Sequence, residues 1–171
     1  MVGYDRPCTG RQMMHALPME PDCSEDIDLA VSCDVGVLIS GGSRTEALQL
    51  ALAIHLRGPR ADERFGIVDM TQPSATAELQ TLAARAAAHA EALDLPAGMG
   101  TLCILEPDRM PHAAQAALLQ CLARRDRHGR LLMRVIAVVE RARLARLRES
   151  TRLVPDVFYR LNTIHVALPA Q

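Results

Sequence analysis

Short apolar runs alternate with amphipathic segments along this chain from about residue 35 to its end. The apolar runs predict five strands, over residues 35–40, 65–70, 100–105, 135–139 and 163–168. Between them, apolar residues recur at i, i+3, i+4 and i+7, which is typical of helices that bury one face. This spacing predicts helices over residues 45–57, over 76–93, after Pro111 and after Val139, with a further short segment over 155–161.

Strands that alternate with helices build βαβ units, and strands that are apolar on both faces belong to parallel sheets covered on both sides. The sequence therefore predicts one α/β domain around a mostly parallel five-stranded sheet. Residues 1–25 lack periodicity and predict a poorly ordered N-terminal arm, which leaves 26–171 for the domain. Neither an internal repeat nor a linker is visible.

The composition restricts the possible functions. Hydrophobic residues make up 49% of the chain, but there are only two Phe, two Tyr and no Trp, which predicts an aliphatic and Ala-rich core. The net charge of −1 favours neither nucleic acid nor a membrane surface as partner. All 19 basic residues are Arg, which excludes lysine-dependent chemistry. Without a signal-like segment, a membrane-length apolar run or paired cysteines, we expect a cytoplasmic protein with no disulfide and no metal site, in which Cys103 and Cys121 are core residues.

The turn after the first predicted strand is the place where α/β proteins bind phosphates, because backbone N–H groups and the helix dipole favour an anion there. Arg44 is the basic side chain of this turn. The candidate nucleotide-binding residues are Gly41, Gly42, Ser43, Arg44 and Thr45.

The same turn departs from a working phosphate loop, G-x-x-x-x-G-K-[ST]. If Gly41 is the first glycine, Glu46 replaces the second, Ala47 the lysine and Leu48 the hydroxyl residue. Ser43 and Glu46 also match a capping box, in which the two residues satisfy the helix N-terminus internally. The turn therefore has two interpretations, a capped helix start and a weak anion site at Arg44.

Ten arginines fall between residues 124 and 152. They allow a contact surface for nucleic-acid phosphates, although no aromatic residues are interleaved for stacking. The other interpretation is a solvated helix face. The cluster comprises Arg124, Arg125, Arg127, Arg130, Arg134, Arg141, Arg143, Arg146, Arg148 and Arg152.

Four segments, in this order, resemble the ATPase domain of sigma-54-dependent transcription activators. They are VLISGGSRTEALQLALAIH at residues 37–55, GTLCILEPDRMPHAAQAALLQCL at 100–122, RVIAVVE at 134–140 and PDVFYRLNTIHVALP at 155–169. The resemblance implies a three-layer P-loop NTPase fold of the AAA+ type, which assembles into rings. Because the chain ends at Gln171, it also implies a truncated domain without the C-terminal helical lid, and without a helix-turn-helix for DNA. The family's GAFTGA loop, which engages the sigma factor, has no counterpart between residues 70 and 98.

Aligned with the family, most of the hydrolytic residues are replaced. The family's lysine, metal-organising aspartate, sensor asparagine and first interface arginine fall on Ala47, Leu105, Glu140 and Val154. The water-activating glutamate and the second interface arginine are kept, as Glu106 and Arg160. Phosphoryl transfer depends on neutralising charge with a lysine, a metal ion held by carboxylate ligands, and arginines. The lysine, the metal-organising aspartate and one arginine of this set are replaced. The resemblance therefore predicts no ATP hydrolysis and no cofactor, and leaves Glu106 and Arg160 as vestigial catalytic residues.

We therefore expect a non-catalytic protein-interaction module in transcription regulation, whose partner is a second copy of itself or an intact sigma-54 activator. One alternative is a protein that binds ATP or ADP weakly, without turnover. A further alternative is an Arg-rich protein that contacts nucleic acid.

Overall fold

A computed structural model describes residues 21–91, 100–125, 129–149 and 153–169. The helices and strands alternate as the sequence predicts, and a 3-10 turn over Pro107–Arg109 follows the third strand. The strands are β1 (Val37–Ser40), β2 (Phe65–Asp69), β3 (Thr101–Leu105), β4 (Arg134–Val139) and β5 (Ile164–Ala167). The helices are α1 (Pro21–Ser32), α2 (Arg44–Arg57), α3 (Ala75–Glu91), α4 (His112–Ala123), α5 (Arg141–Glu149) and α6 (Pro155–Leu161).

The five strands form one parallel sheet in the order β2-β3-β4-β1-β5. Every residue of β1, β3 and β4 is buried, as near-continuous apolar strands require when both faces of a sheet are covered. The edge strand β2 is more exposed. The predicted α/β class and the mostly parallel five-stranded sheet are confirmed.

Two apolar cores lie on opposite faces of the sheet. Ile27 of α1 and Ile54 of α2 belong to one core, together with alternate residues of the strands. Leu79 of α3, Leu118 of α4 and residues of α5 and α6 belong to the other. The predicted three layers are therefore present. Cys103 and Cys121 are buried as predicted, and burial raises the pKa of these thiols to about 12 and about 11.

Helix α1 corrects the predicted boundary at residue 26. Residues 21–25, predicted as the end of an arm, form its first turns. The helix forms because Cys23, Ile27, Ala30 and Val31 recur at helical spacing and pack on the sheet. Residues 1–20 of the predicted arm lie outside the described residues, as does the end of the predicted third helix beyond residue 91. No helix in the described ranges is long and apolar enough to cross a membrane.

Candidate functional site

The candidate site lies where the chain reverses its direction across the sheet. After β1 the chain passes through α2 to the β2 edge, whereas after β4 it crosses over β1 to reach β5. The loops after β1 and β4 therefore leave in opposite directions and open a crevice at the carboxyl ends of these neighbouring strands. In open parallel sheets this is the position at which ligands bind.

A cleft of about 320 Å³ occupies this crevice. Its walls come from the turn after β1, the start of α2, and the ends of β3 and β4. The lining residues are Gly41, Gly42, Ser43, Arg44, Ala47, Leu105, Glu106, Val138, Val139 and Glu140. Four of the five predicted nucleotide-binding residues are among them. The fifth, Thr45, is exposed on α2 and does not line the cleft.

The turn after β1 depends on two glycines in the left-handed region, with φ of 85° at Gly41 and 60° at Gly42. Space is also restricted there. A Cβ at Gly41 would come within 2.6 Å of the Leu168 carbonyl oxygen, and one at Gly42 within 2.8 Å of the Leu168 side chain. The turn can therefore approach β5 closely only with glycine at both positions.

Helix α2 begins with the predicted capping box. The Ser43 Oγ accepts a hydrogen bond from the Glu46 backbone N–H at 3.2 Å, and the Glu46 carboxylate accepts from the Ser43 N–H at 2.8 Å. The Ser43 hydroxyl also donates to the same carboxylate at 2.8 Å. An internal carboxylate therefore takes up hydrogen bonds that an external anion would use at a helix N-terminus.

Arg44 is the only basic residue among those lining this cleft, and it forms an ion pair with Asp69 at the end of β2, with an N–O distance of 2.5 Å. Partial burial by itself would raise the pKa of Asp69. The hydrogen bonds from Arg44 and Thr71 outweigh it and lower the pKa of Asp69 to about 2. Asp69 is consequently ionised throughout the physiological range, and Arg44 is partly neutralised before any ligand arrives.

The floor of the cleft is apolar and its rim is acidic. Ala47 and Leu105, which the resemblance aligns with the family's lysine and aspartate, are both buried. The rim carries two carboxylates, Glu106 at 14% and Glu140 at 67% side-chain exposure. Such a surface offers a phosphate no lysine, and its carboxylates would repel a phosphate as like charges.

Glu106 belongs to an ion-pair network that the sequence does not reveal. It has φ of 56°, the only positive φ of a non-glycine residue in the described ranges, and its N–H donates to the Val138 carbonyl at 3.0 Å. Its carboxylate accepts a hydrogen bond from Arg143 of α5. Arg143 also pairs with Asp108 at 3.1 Å, and Arg109 lies 3.4 Å from Glu106. Glu106 is therefore held by arginine side chains beside the cleft.

Arg160, the other retained residue, does not line the cleft. It lies on α6 with 43% exposure and pairs with Asp156 one turn earlier at 3.1 Å. Its backbone carbonyl lies next to Gly36, before the first residue of β1 and thus at the opposite end of the strands. Within one copy of the chain, Arg160 and Glu106 cannot act on the same group.

Several of the clustered arginines serve the fold itself. Arg134 is buried and donates to the carbonyls of Val35 and Ala30, and Arg130 pairs with Asp34 and Glu63. Together with Arg143, these residues are three of the ten arginines in the predicted basic cluster. Arg127, Arg148 and Arg152 fall wholly or in their side chains outside the described residues. Nowhere in the described ranges do His, Cys, Asp or Glu side chains form a group that could hold a metal ion.

The fold and the position of the cleft define an α/β domain of the P-loop NTPase class. Solved structures with this fold include the P-loop NTPase domain of a sigma-54 transport activator from E. coli, at 19% identity with a TM-score of 0.63, covering 85% of this chain and 98% of that one. NtrX from Brucella abortus in complex with ADP is similar at 20% identity with a TM-score of 0.63, and the match covers 87% of this chain and 35% of that one.

Sequence comparison identifies the family. The sigma-54 interaction domain matches residues 19–167, so this chain belongs to that family. The regulatory protein AtoC of Escherichia coli K12 is 34% identical over 179 aligned positions, which cover 94% of this chain. The chain spans only 38% of AtoC's length.

Proposed function

We propose that this sigma-54 interaction domain is a protein-interaction module of transcription regulation that does not hydrolyse ATP. The observation that carries the proposal is the chemistry of the cleft. Ala47 and Leu105 form an apolar floor where the family's lysine and aspartate would lie, and Glu106 and Glu140 are at the rim. A triphosphate with its metal ion needs several cations and a metal-organising carboxylate, and these are worth several kcal/mol each to phosphoryl transfer.

The internal contacts of the cleft support the same proposal. Glu46 accepts the hydrogen bonds of Ser43 at the helix N-terminus, and Asp69 engages Arg44. Arg143 engages Glu106, the one carboxylate in the position to activate water. Glu46, Arg44 and Glu106 therefore each already have a partner within the chain.

The proposed partner is a second copy of this chain or an intact sigma-54 activator, contacted through the exposed surface of α6 around Arg160. Its ion pair with Asp156 joins residues i and i+4 on a solvated helix, and such pairs contribute only about 0.3–0.5 kcal/mol. The guanidinium can therefore be redirected to a partner at small cost.

Co-purification with an intact sigma-54 activator tests this role. Wild-type protein should be retained, and Arg160→Ala should weaken retention at least tenfold. Arg146→Ala, which removes an exposed arginine of α5, should leave it unchanged. A protein that stays monomeric and retains no activator at any concentration would contradict the proposal.

A second candidate is weak binding of ATP or ADP without turnover. The cleft volume and the left-handed Gly41-Gly42 turn favour it, and NtrX has been crystallised with each nucleotide. Calorimetric titration with ATP and Mg²⁺ separates the two candidates. Heat that saturates below millimolar nucleotide supports this second function, whereas its absence leaves the interaction module alone.

A further inference from the structure

An apolar surface follows the open edge of the sheet. Ile67, in the middle of β2, is 51% exposed, and Leu52 and Leu56 on α2 are 40% and 57% exposed. Together with Gly66, which is also exposed, they form what we call the β2-edge surface. No neighbouring strand pairs with the outer side of β2 within the described residues.

Two side-chain contacts link α2 to β2 beside this surface. The Arg44–Asp69 ion pair joins the start of the helix to the end of the strand, and the rings of His55 and Phe65 lie 5.3 Å apart at the other end. Leu52 lies eight residues after Arg44 and three before His55, so it occupies the same side of the helix, and Leu56 follows one turn later. Phe65 and Asp69 contact α2, and Ile67 alternates onto the same face of β2. The exposed leucines and Ile67 therefore lie on the same face of the sheet.

Among the described residues, the β2 edge shows none of the features that normally keep sheet edges from pairing. Proteins place lysine, proline, inward charges or a covering element at such edges. The opposite edge is covered, since α1 packs along β5 and the Cys23 thiol donates to the Ala167 carbonyl. In contrast, β2 reads Phe-Gly-Ile-Val-Asp, and its single charge, Asp69, is neutralised by Arg44.

We propose that the β2-edge surface docks a second copy of this chain, with the two β2 strands pairing antiparallel about a twofold axis at Ile67. That register places Ile67 opposite its own copy and Phe65 opposite Asp69, and brings the Leu52–Leu56 flanks of both copies toward the same axis. An edge strand is complementary to itself in this arrangement, because each backbone group finds its counterpart on the partner. The result is one continuous ten-stranded sheet.

The charges at the two ends of the strand permit this arrangement. Asp62 and Arg64 are exposed before the amino end of β2, and the Arg44–Asp69 pair lies at its carboxyl end. Antiparallel pairing brings these two ends together, and each carries both signs, so no block of like charge is apposed. Because only a few side chains and one short strand contribute, the buried area falls below the ~800 Å² per partner of a stable interface, and we expect a concentration-dependent dimer.

This proposal rests on the interaction role proposed above and assigns it a surface distinct from Arg160. Sedimentation velocity of the full chain tests it across a range from about 1 µM to 1 mM, the interval in which weak dimers form. Wild-type protein should shift from monomer to dimer. Ile67→Lys and Leu56→Lys should each weaken association at least tenfold, while Leu29→Lys, at a 49% exposed leucine of α1, should not.

Either of two results would contradict the proposal that the β2-edge surface docks a second copy. One is a wild-type protein that stays monomeric throughout the concentration range. The other is a dimer that Ile67→Lys and Leu29→Lys weaken equally. Circular dichroism of the variants separates loss of pairing from loss of fold, which is not expected at side chains this exposed. If the dimer forms as described but the protein hydrolyses ATP, the surface stands and the non-catalytic function falls. If the protein stays monomeric but retains an activator through Arg160, the proposed β2-edge surface is wrong and the proposed interaction role stands.

Discussion

At the scale of single residues, we expect Glu46 and Ala47 to weaken phosphate binding in the cleft. Glu46 brings a carboxylate to the helix N-terminus, and Ala47 adds only a methyl group to the cleft floor. Two like charges ~4 Å apart repel by about 1 to 4 kcal/mol, depending on screening. A lysine at position 47 would reverse the sign of the interaction.

The double variant Glu46→Gly, Ala47→Lys should therefore gain nucleotide affinity. We expect at least a tenfold increase in the calorimetric association constant for ATP over the wild-type protein, because one repulsive charge is removed and one attractive charge is added. Thr45→Lys is the matched control, since it adds the same charge at an exposed position outside the cleft. An unchanged constant in the double variant would show that the two residues do not limit binding.

His55 makes stability depend on pH. It is buried and hydrogen-bonded to the Thr101 hydroxyl at 2.9 Å. Desolvation lowers its pKa below 6.5 and the nearby Arg134 lowers it further, against the opposing effect of Glu63. As the pH falls through about 6.5, the unfolded chain therefore binds a proton at His55 that the folded chain does not yet bind. The stability that His55 contributes is present above pH 6.5 and is lost as the pH falls toward its folded-state pKa.

Urea denaturation at pH 7.5 and 5.0 measures this effect. The free energy of unfolding should decrease with acidification, with a slope of at most about 1.4 kcal/mol per pH unit from this one group. His55→Gln should flatten the slope, whereas His112→Gln, at an exposed position, should not. Equal slopes in all three proteins would refute a role for His55.

At the scale of secondary-structure elements, α2 depends on its cap. Ser43→Ala removes the acceptor of the Glu46 N–H and one donor to the Glu46 carboxylate. The expected cost is ~1 kcal/mol, or roughly 2–4 °C in Tm for a chain of this size. Thr45→Ala, two residues later and exposed, should leave Tm nearly unchanged in the same calorimetric scan. Similar Tm values for the two variants would contradict the capping role.

The loop after β3 and helix α5 are joined through Arg143, which contacts Glu106 and Asp108. Arg143→Met should destabilise the fold by about 1–3 kcal/mol, because two mostly buried carboxylates lose the arginine that they share. Arg141→Met is the control, since no ion pair joins Arg141 to any described residue. Equal denaturation midpoints for the two variants would show that the network contributes nothing.

The sequence predicts the secondary-structure elements better than it predicts contacts between residues far apart in the chain. The five strands and the capping box follow from local periodicity and residue type, which act over a few positions. The sequence does not predict helix α1, because its apolar residues follow a polar segment that contains proline. That segment hides the position at which the helical spacing begins. The partners of Arg44 and Glu106 lie 25 and 37 residues away, at Asp69 and Arg143, and only the folded sheet brings such groups together.

At the scale of the whole molecule, the parallel sheet and its two apolar cores preserve the family's fold, although Ala47 and Leu105 lie in the cleft where the resemblance places the family's lysine and aspartate. The packing of the fold and the binding chemistry of the cleft depend on different residues. The cores depend on aliphatic residues on the two faces of the sheet, whereas binding depends on a few groups at one edge. The fold of the sigma-54 interaction family can therefore support a domain whose proposed role is contact with other proteins.

Steady-state phosphate release from ATP and Mg²⁺ tests the central claim most directly. The wild-type protein should release phosphate no faster than a protein-free blank, and Glu106→Ala should give the same rate. A rate that saturates with ATP in the wild-type protein and disappears in Glu106→Ala would contradict the account, because only a working cleft in this chain responds to that change.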